Sequence, residues 1–257
     1  MSDKREREKR QEQRLQAEAE AQVQDRRKRL IRLGGLAGLL AVVIVVVLIV
    51  VSLVQSSGSG GDAANLVDVD LVESQLQGLP QQGTVLGQPS AKVKLIEFGD
   101  LQCPICKAYS EEVIPQIVAG PVNSGETKIE FRNFTIISQQ SVPAGAAAIA
   151  AGKQGRAWNY IELFYRNQGE EGSGYVTDEF MTSIAKGAGV PDIAKWNAAR
   201  KSKPVLAEVA RTTHEASDHF EFNGTPSFYV EGPGGSESLG TPGSAAAIEE
   251  AIGKASG

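Results

Sequence analysis

The spacing of apolar residues changes several times along this chain, and each change predicts a different kind of element. From Leu33 to Val54 run 22 residues without a charge, dominated by Val, Leu and Ile. At the rise of an α-helix such a run spans about 33 Å, enough to cross a hydrocarbon layer, whereas the apolar stretch of a cleavable signal is about half as long. It predicts a transmembrane helix over 33–54. Ahead of it, residues 1–32 are mostly Lys, Arg, Glu and Gln and sustain no apolar heptad, so they read as a charged tail and not as a core or a coiled coil. Behind it, Gln55 to Ala64 carries Ser56-Ser57-Gly58-Ser59-Gly60-Gly61, a flexible linker. Asn65 to Gly83 offers at most an amphipathic turn or two packed on the domain beyond it, so 55–83 reads as linker and approach.

The folded domain is expected over 84–257. Val93-Lys94-Leu95-Ile96-Glu97-Phe98 becomes nearly all apolar, as a central strand covered on both faces does, with Glu97 as its one anomaly. A helix then opens at Cys103-Pro104, where proline suits the first helical position, and Ile105, Tyr109, Val113 and Ile117 recur every four residues along one face. Pro115 kinks or ends it. Lys128 to Phe134 alternates with period two, which completes a βαβ unit and a partly parallel sheet. Residues 141–220 return to helical spacing, with starts marked by Thr177-Asp178-Glu179 and Pro191-Asp192. Strand character reappears at Pro226 to Val230, turns at Gly232 to Gly235, and gives way to a last helix that Thr241 caps with Pro242 at its first position, Ile248 and Ile252 facing inward. The predicted class is α/β in the order βαβ, helical insert, ββα.

Charge adds an orientation. The first 32 residues hold 11 Lys/Arg, and the next basic residue after the apolar run is Lys92, so the amino end is expected in the cytoplasm and the domain outside a single-pass anchor in the cytoplasmic membrane. Taking the 11 basic and 7 acidic residues of the tail from totals of 26 and 31 leaves the rest of the chain at −9. An acidic domain without a basic cluster excludes nucleic acid as a partner.

The only two cysteines, Cys103 and Cys106, lie three residues apart, so a disulfide scaffold is excluded while a redox pair is not. Placed after a strand and at a helix mouth, the first sulfur meets unpaired amides and the positive end of the helix dipole, which favour a thiolate. Cys103 is therefore the expected nucleophile and Cys106, one turn in, the partner that forms or resolves the disulfide. A zinc corner would need a second pair, and His214 and His219 lie over a hundred residues away, so no metal or other cofactor is expected. A merely structural disulfide closing so small a ring would constrain little of the unfolded chain. Glu97, six residues before Cys103, is either a buried acid that exchanges protons with Cys106 or an edge residue that reaches water. Thr225-Pro226, read from the residues alone, favours the trans bond. His214 and Asp218 read as a solvated pair, and Tyr109, Trp158 and Trp196 as core.

The stretch VKLIEFGDLQCPICK from Val93 to Lys107, together with Gly224-Thr225-Pro226-Ser227-Phe228, resembles the DsbA-like proteins, and the tethered layout is similar to BdbD-like members. The resemblance implies a thioredoxin fold with a helical insertion, a cis peptide before Pro226 facing the thiols, and Glu97 at the family's buried acidic position. It also implies a groove in which Thr225 pairs with an extended client, so that Pro104, Ile105, Thr225 and Pro226 face the substrate. Asp100 stands where tethered relatives often have an acid, with no role legible in the sequence. One departure is in the dipeptide: Pro104-Ile105 lacks the histidine of strongly oxidising members, and Ile105 offers neither charge nor hydrogen bond to Cys103. The expected function is an oxidase that gives its disulfide to exported cysteine-containing proteins and is recharged by a quinone-linked membrane partner, DsbB-like or VKOR-like. A reductase or isomerase, and a redox-inert scaffold that holds clients, stay open beside it.

Overall fold

The structure, a computed structural model, describes residues 66–257. The charged tail, the transmembrane helix expected over 33–54 and the linker from Gln55 to Ala64 lie outside the described residues. Among the described residues no helix is long and apolar enough to cross a membrane.

Among the described residues six strands form one sheet: β1 (Gln81–Gln82), β2 (Val85–Leu86), β3 (Val93–Gly99), β4 (Thr127–Asn133), β5 (Ser227–Gly232) and β6 (Gly235–Gly240), in the spatial order β1-β2-β4-β3-β5-β6. β3 pairs parallel with β4 and antiparallel with β5, so Glu97 sits opposite Phe131 on one side and Phe228 on the other. The expected βαβ unit is present, and Glu97 lies on a central strand, which removes the edge alternative. Gly99 ends β3 where any Cβ would lie 2.6 Å from the Phe131 ring, so only glycine lets the strand turn there.

The helices are α1 (Val69–Leu76), α2 (Pro104–Glu112), α3 (Ile114–Ile117), α4 (Ser141–Gly152), α5 (Ala157–Arg166), α6 (Asp178–Gly187), α7 (Ile193–Arg200), α8 (Lys203–His214) and α9 (Ala245–Ser256). Residues upstream of Thr84 also pack: α1 sends Val72 and Leu76 into the main core. The helical insert is α4 to α8, with Thr177 and Asp192 accepting the expected capping bonds from Phe180 N and Lys195 N. Its centre is the Ala-rich α4, whose small side chains let neighbouring helices approach closely. Trp158 and Trp196 are fully buried and spend their indole N–H groups on Thr84 O and Ala147 O, each at 2.9 Å, as core tryptophans must.

Two expectations about helices are corrected. The inward face of α2 is Cys106 and Ser110, while Ile105 is 54% exposed. The four-residue periodicity misled because Pro115 breaks the run at Val113, so no single helical phase joins Ile105 to Ile117. The last helix begins at Ala245 under a Ser244 cap, not at Pro242. Thr241 instead donates to Pro226 O at 2.7 Å, and Pro242 O accepts from the Tyr109 hydroxyl, so this turn is held to the Pro226 loop and to α2.

Candidate active site

The end of β3 delivers a tight loop, Asp100 to Gln102, which is fastened on three sides. The buried Asp100 carboxylate accepts from Gln102 N through Oδ1 and from Ile136 N and Ile137 N through Oδ2, all at 2.9 Å. Gln168, just past α5, donates to Leu101 O at 2.8 Å and Cys103 O at 3.2 Å. Gln102 reaches Ser138 and Ser141. Charge-assisted bonds to backbone amides are the stronger kind, so Asp100 is the main clamp between this loop and the segment after β4. That is the role its sequence position did not reveal.

Held this way, Cys103 is the N-cap of α2 (φ −74°, ψ 121°), with Pro104 at the first helical position. Its Sγ accepts from Cys106 N at 3.4 Å and lies 3.4 Å from Thr225 O. The Thr225–Pro226 peptide is cis, as the resemblance implied and the residues alone did not. Cys103, Cys106, Thr225 and Pro226 therefore meet at one point, with Pro104 and Ile105 exposed beside it and Glu97 beneath. His214 and Asp218 form an exposed pair at 3.8 Å on another part of the molecule. Tyr109, expected in the core, is only partly buried, its ring stacked on Phe228.

Electrostatics separate the two thiols. A hydrogen bond from the Cys106 side chain holds Cys103 down to about 6 from its ordinary 9.0, helped by Thr225 and the amides of Cys106 and Ile105, against burial, which pushes the other way. Cys106 is fully buried and pushed well up, first by burial, then by its bond to Cys103 and the charges of Cys103 and Glu97. Burial, then the Glu162 and Cys103 charges, lift the Glu97 carboxyl from 4.5 to about 8. Near neutral pH the arrangement is a thiolate at the helix mouth, only 4% exposed, a thiol below it and a neutral acid below both.

Glu162 is the site residue that the sequence reading missed. It is 4% exposed on α5 and lifted to about 7 by burial, with Ser110 and Arg166 opposing. Its signal was present, since a lone carboxylate in Ala157-Trp158-Asn159-Tyr160-Ile161-Glu162-Leu163-Phe164-Tyr165 sits in a helix that is apolar nearly all round.

An open, shallow recess of about 380 Å³ lies elsewhere, lined by Lys92, Lys94, Lys128, Glu231 and Gly232, at the opposite end of β3 from Cys103. That is about 20 Å from the thiols at the rise of a strand. Among the described residues no group of three or more His, Cys, Asp or Glu could hold a metal ion.

A sequence model described as thioredoxin matches residues 80–250. A probable disulfide bond formation protein D from Bacillus cereus is 30% identical over 151 residues, covering 57% of this chain and 69% of that protein. The crystal structure of oxidised BdbD from Bacillus subtilis superposes with a TM-score of 0.60 at 22% identity, covering 69% of this chain and 97% of that one. A thioredoxin-like oxidoreductase from Silicibacter pomeroyi gives 0.54 at 25% identity, covering 71% and 96%. The chain thus belongs to the thioredoxin family, among the DsbA-like proteins that include the Bacillus disulfide bond formation proteins.

Proposed function

We propose that this protein is an exported, membrane-tethered thiol–disulfide oxidoreductase that acts as an oxidase of exported proteins. The observation that carries this reading is the placement of Cys103 as the N-cap of α2, its Sγ accepting from Cys106 N at 3.4 Å and facing Thr225 O, above a fully buried Cys106. This arrangement holds the first thiol down and pushes the second up. A low-pKa thiolate stabilises the reduced enzyme, which makes its disulfide a readier donor.

In the first step a client thiolate attacks Cys103 Sγ of the Cys103–Cys106 disulfide, that bond breaks, and Cys106 leaves with the electron pair, taking a proton from the Glu97 carboxyl. The second client thiol then loses its proton and attacks the client sulfur of the mixed disulfide, expelling Cys103 as thiolate. Two electrons pass from client to enzyme and the client gains one disulfide; counted from two client thiols and with Glu97 reprotonated from solvent, one proton in net is released because Cys103 stays ionised. An extended client strand laid beside Thr225 and Pro226 would bring its sulfur to Cys103, with Pro104 and Ile105 as the apolar rim. A quinone-linked membrane partner, DsbB-like or VKOR-like, removes the two electrons. The uncharged run 33–54 and the basic tail before it support the tether and the outside location.

A reductase or isomerase is the second reading, favoured by the Ile105 side chain, which gives the thiolate no donor beyond its backbone amide. Titration of Cys103 at about 6 lies between thioredoxin, near about 7, and DsbA, near about 3.5. The equilibrium of the full-length chain with glutathione decides. An oxidase is expected well above about −270 mV, and a value at that level would make it a reductase. Cys106→Ser is expected to accumulate mixed disulfides with exported proteins through Cys103. A variant that traps none would leave only a client-holding scaffold.

A further inference from the structure

The turn from Gly240 to Ser244 has the composition of a helix start and is not used as one, since α9 begins at Ala245 with the Ala247 amide capped by Ser244. Gly240 pairs with Phe228, which faces Glu97 near the end of β3, so β6 finishes at the end of the sheet that carries the thiols. There Gly240, at φ 56°, turns the chain out of the sheet. Thr241 is exposed, and its hydroxyl donates to Pro226 O at 2.7 Å. Next to it Pro242 is buried, and its carbonyl accepts from the hydroxyl of Tyr109 on α2, whose ring also stacks on Phe228 at 5.8 Å. A closed circuit of contacts therefore runs from α2 through Tyr109, Pro242 and Thr241 to Pro226, and back to α2 where Thr225 O lies 3.4 Å from Cys103 Sγ.

The last contact is the weak one. A carbonyl and a sulfur form a hydrogen bond only while the sulfur carries a proton, and Cys103 carries none as a thiolate or in a disulfide. In both working states of the enzyme the Thr225–Pro226 segment must be held by something else. Pro226 has no amide to donate, and it precedes β5, whose pairing with β3 starts at Ser227. Ser227 Oγ closes the turn locally on Gly224 O at 2.8 Å, which shapes the segment but does not tie it to α2. The tie that survives ionisation is the route through Thr241 and Tyr109.

We propose that Thr241 is a positioning residue: its hydroxyl, on a turn that Tyr109 anchors to α2, fixes the Thr225–Pro226 backbone at the spacing from Cys103 that an extended client chain requires. The inference rests on the oxidoreductase reading and deepens it. Strands pair across about 4.7–4.9 Å, so a backbone that receives an extended chain has to stand still within a fraction of that distance. A small dithiol has no backbone to lay there and is indifferent to the restraint. Thr241 thus acts on polypeptide clients through Pro226 and leaves the sulfur chemistry alone.

The test uses the full-length chain with its disulfide formed, comparing the wild type, Thr241→Val, Thr241→Ser and Tyr109→Phe. Two reductants are used, a reduced unstructured peptide with two cysteines and dithiothreitol. Loss of one neutral hydrogen bond shifts an equilibrium by about fivefold, and the fraction of molecules with the segment in place falls accordingly. Thr241→Val, which keeps the shape and loses the donor, should therefore react about fivefold more slowly with the peptide and at an unchanged rate with dithiothreitol. Thr241→Ser keeps the hydroxyl and should match the wild type with both. Tyr109→Phe frees the turn while leaving the Thr241 donor, and should slow the peptide reaction alone by about twofold. An unchanged peptide rate in Thr241→Val would overturn the proposal, as would an equal slowing with dithiothreitol or a Thr241→Ser variant as slow as Thr241→Val. If Thr241→Val does not fold, Tyr109→Phe must show the same split between peptide and dithiothreitol, and its absence there overturns the proposal. A wild type that exchanges with neither reductant would mean that the functional reading itself fails, which is a separate result.

Discussion

Replacing Glu97 with Gln should make the fold more stable at mildly alkaline pH while slowing exchange. In the folded chain the carboxyl titrates at about 8 against an ordinary 4.5, because burial and the Glu162 charge penalise the ionised form. A group whose folded pKa is raised contributes stability that is fully present below its unfolded value and lost as pH rises through the folded one. The window is therefore from about 4.5 to about 8. Across it the wild type loses up to about 5 kcal/mol relative to a chain that cannot ionise there. Gln has nearly the same shape and stays neutral, so the variant should escape that loss. Cys103 runs in the opposite sense, its depressed pKa adding stability as pH rises from about 6 to 9.0, but it does so in both proteins, so the comparison reads the Glu97 contribution together with its coupling to the Cys103 charge. Urea denaturation of both full-length, fully reduced proteins at about pH 5, 6.5 and 8 measures the difference, since the midpoint and slope give the free energy. It should be small at the lowest pH and several kcal/mol in favour of Gln at the highest. A difference that stays constant from acid to alkaline pH would show that Glu97 is ionised in the folded state, and its role as proton donor to Cys106 would go with it.

The same geometry predicts the outcome of two further substitutions. Ile105→His places a donor beside the Cys103 thiolate, and lowering that thiol tenfold in proton affinity should raise the reduction potential by about 30 mV, read against glutathione; an unchanged potential would mean that residue 105 does not reach the sulfur. Asp100→Ala leaves the amides of Gln102, Ile136 and Ile137 without their acceptor. At about 1–3 kcal/mol for each buried donor left unsatisfied, it should lower stability by about 3 kcal/mol or more and slow exchange, and a loss under about 0.5 kcal/mol would contradict the clamp.

How far the sequence carried the structure depended on how local the cause was. Cys103 and Cys106 were legible because a strand, a loop and a helix start are written in consecutive residues. The capping residues Thr177 and Asp192 were legible for the same reason. Glu97 stood out as a carboxylate in an apolar strand, and its burial between β4 and β5 followed once β3 proved central. The role of Asp100 was not legible, because its partners, Ile136 and Ile137, come from the far side of β4. Glu162 gave a signal of the same kind as Glu97, but its helix lies about sixty residues after Cys103, and only packing joins it to Ser110. The cis bond before Pro226 came from the resemblance and not from the dipeptide itself. The start of α9 was misplaced because Thr241-Pro242 has the composition of a helix cap while its hydrogen bonds go to Pro226 and Tyr109.

The rate of iodoacetamide modification of the reduced, folded, full-length protein against pH tests most directly whether the helix mouth presents an ionised sulfur. One thiol, Cys103, should react with a midpoint at about pH 6 while Cys106 is spared. A midpoint near the ordinary cysteine value of 9.0, or equal reaction at both thiols, would contradict the account.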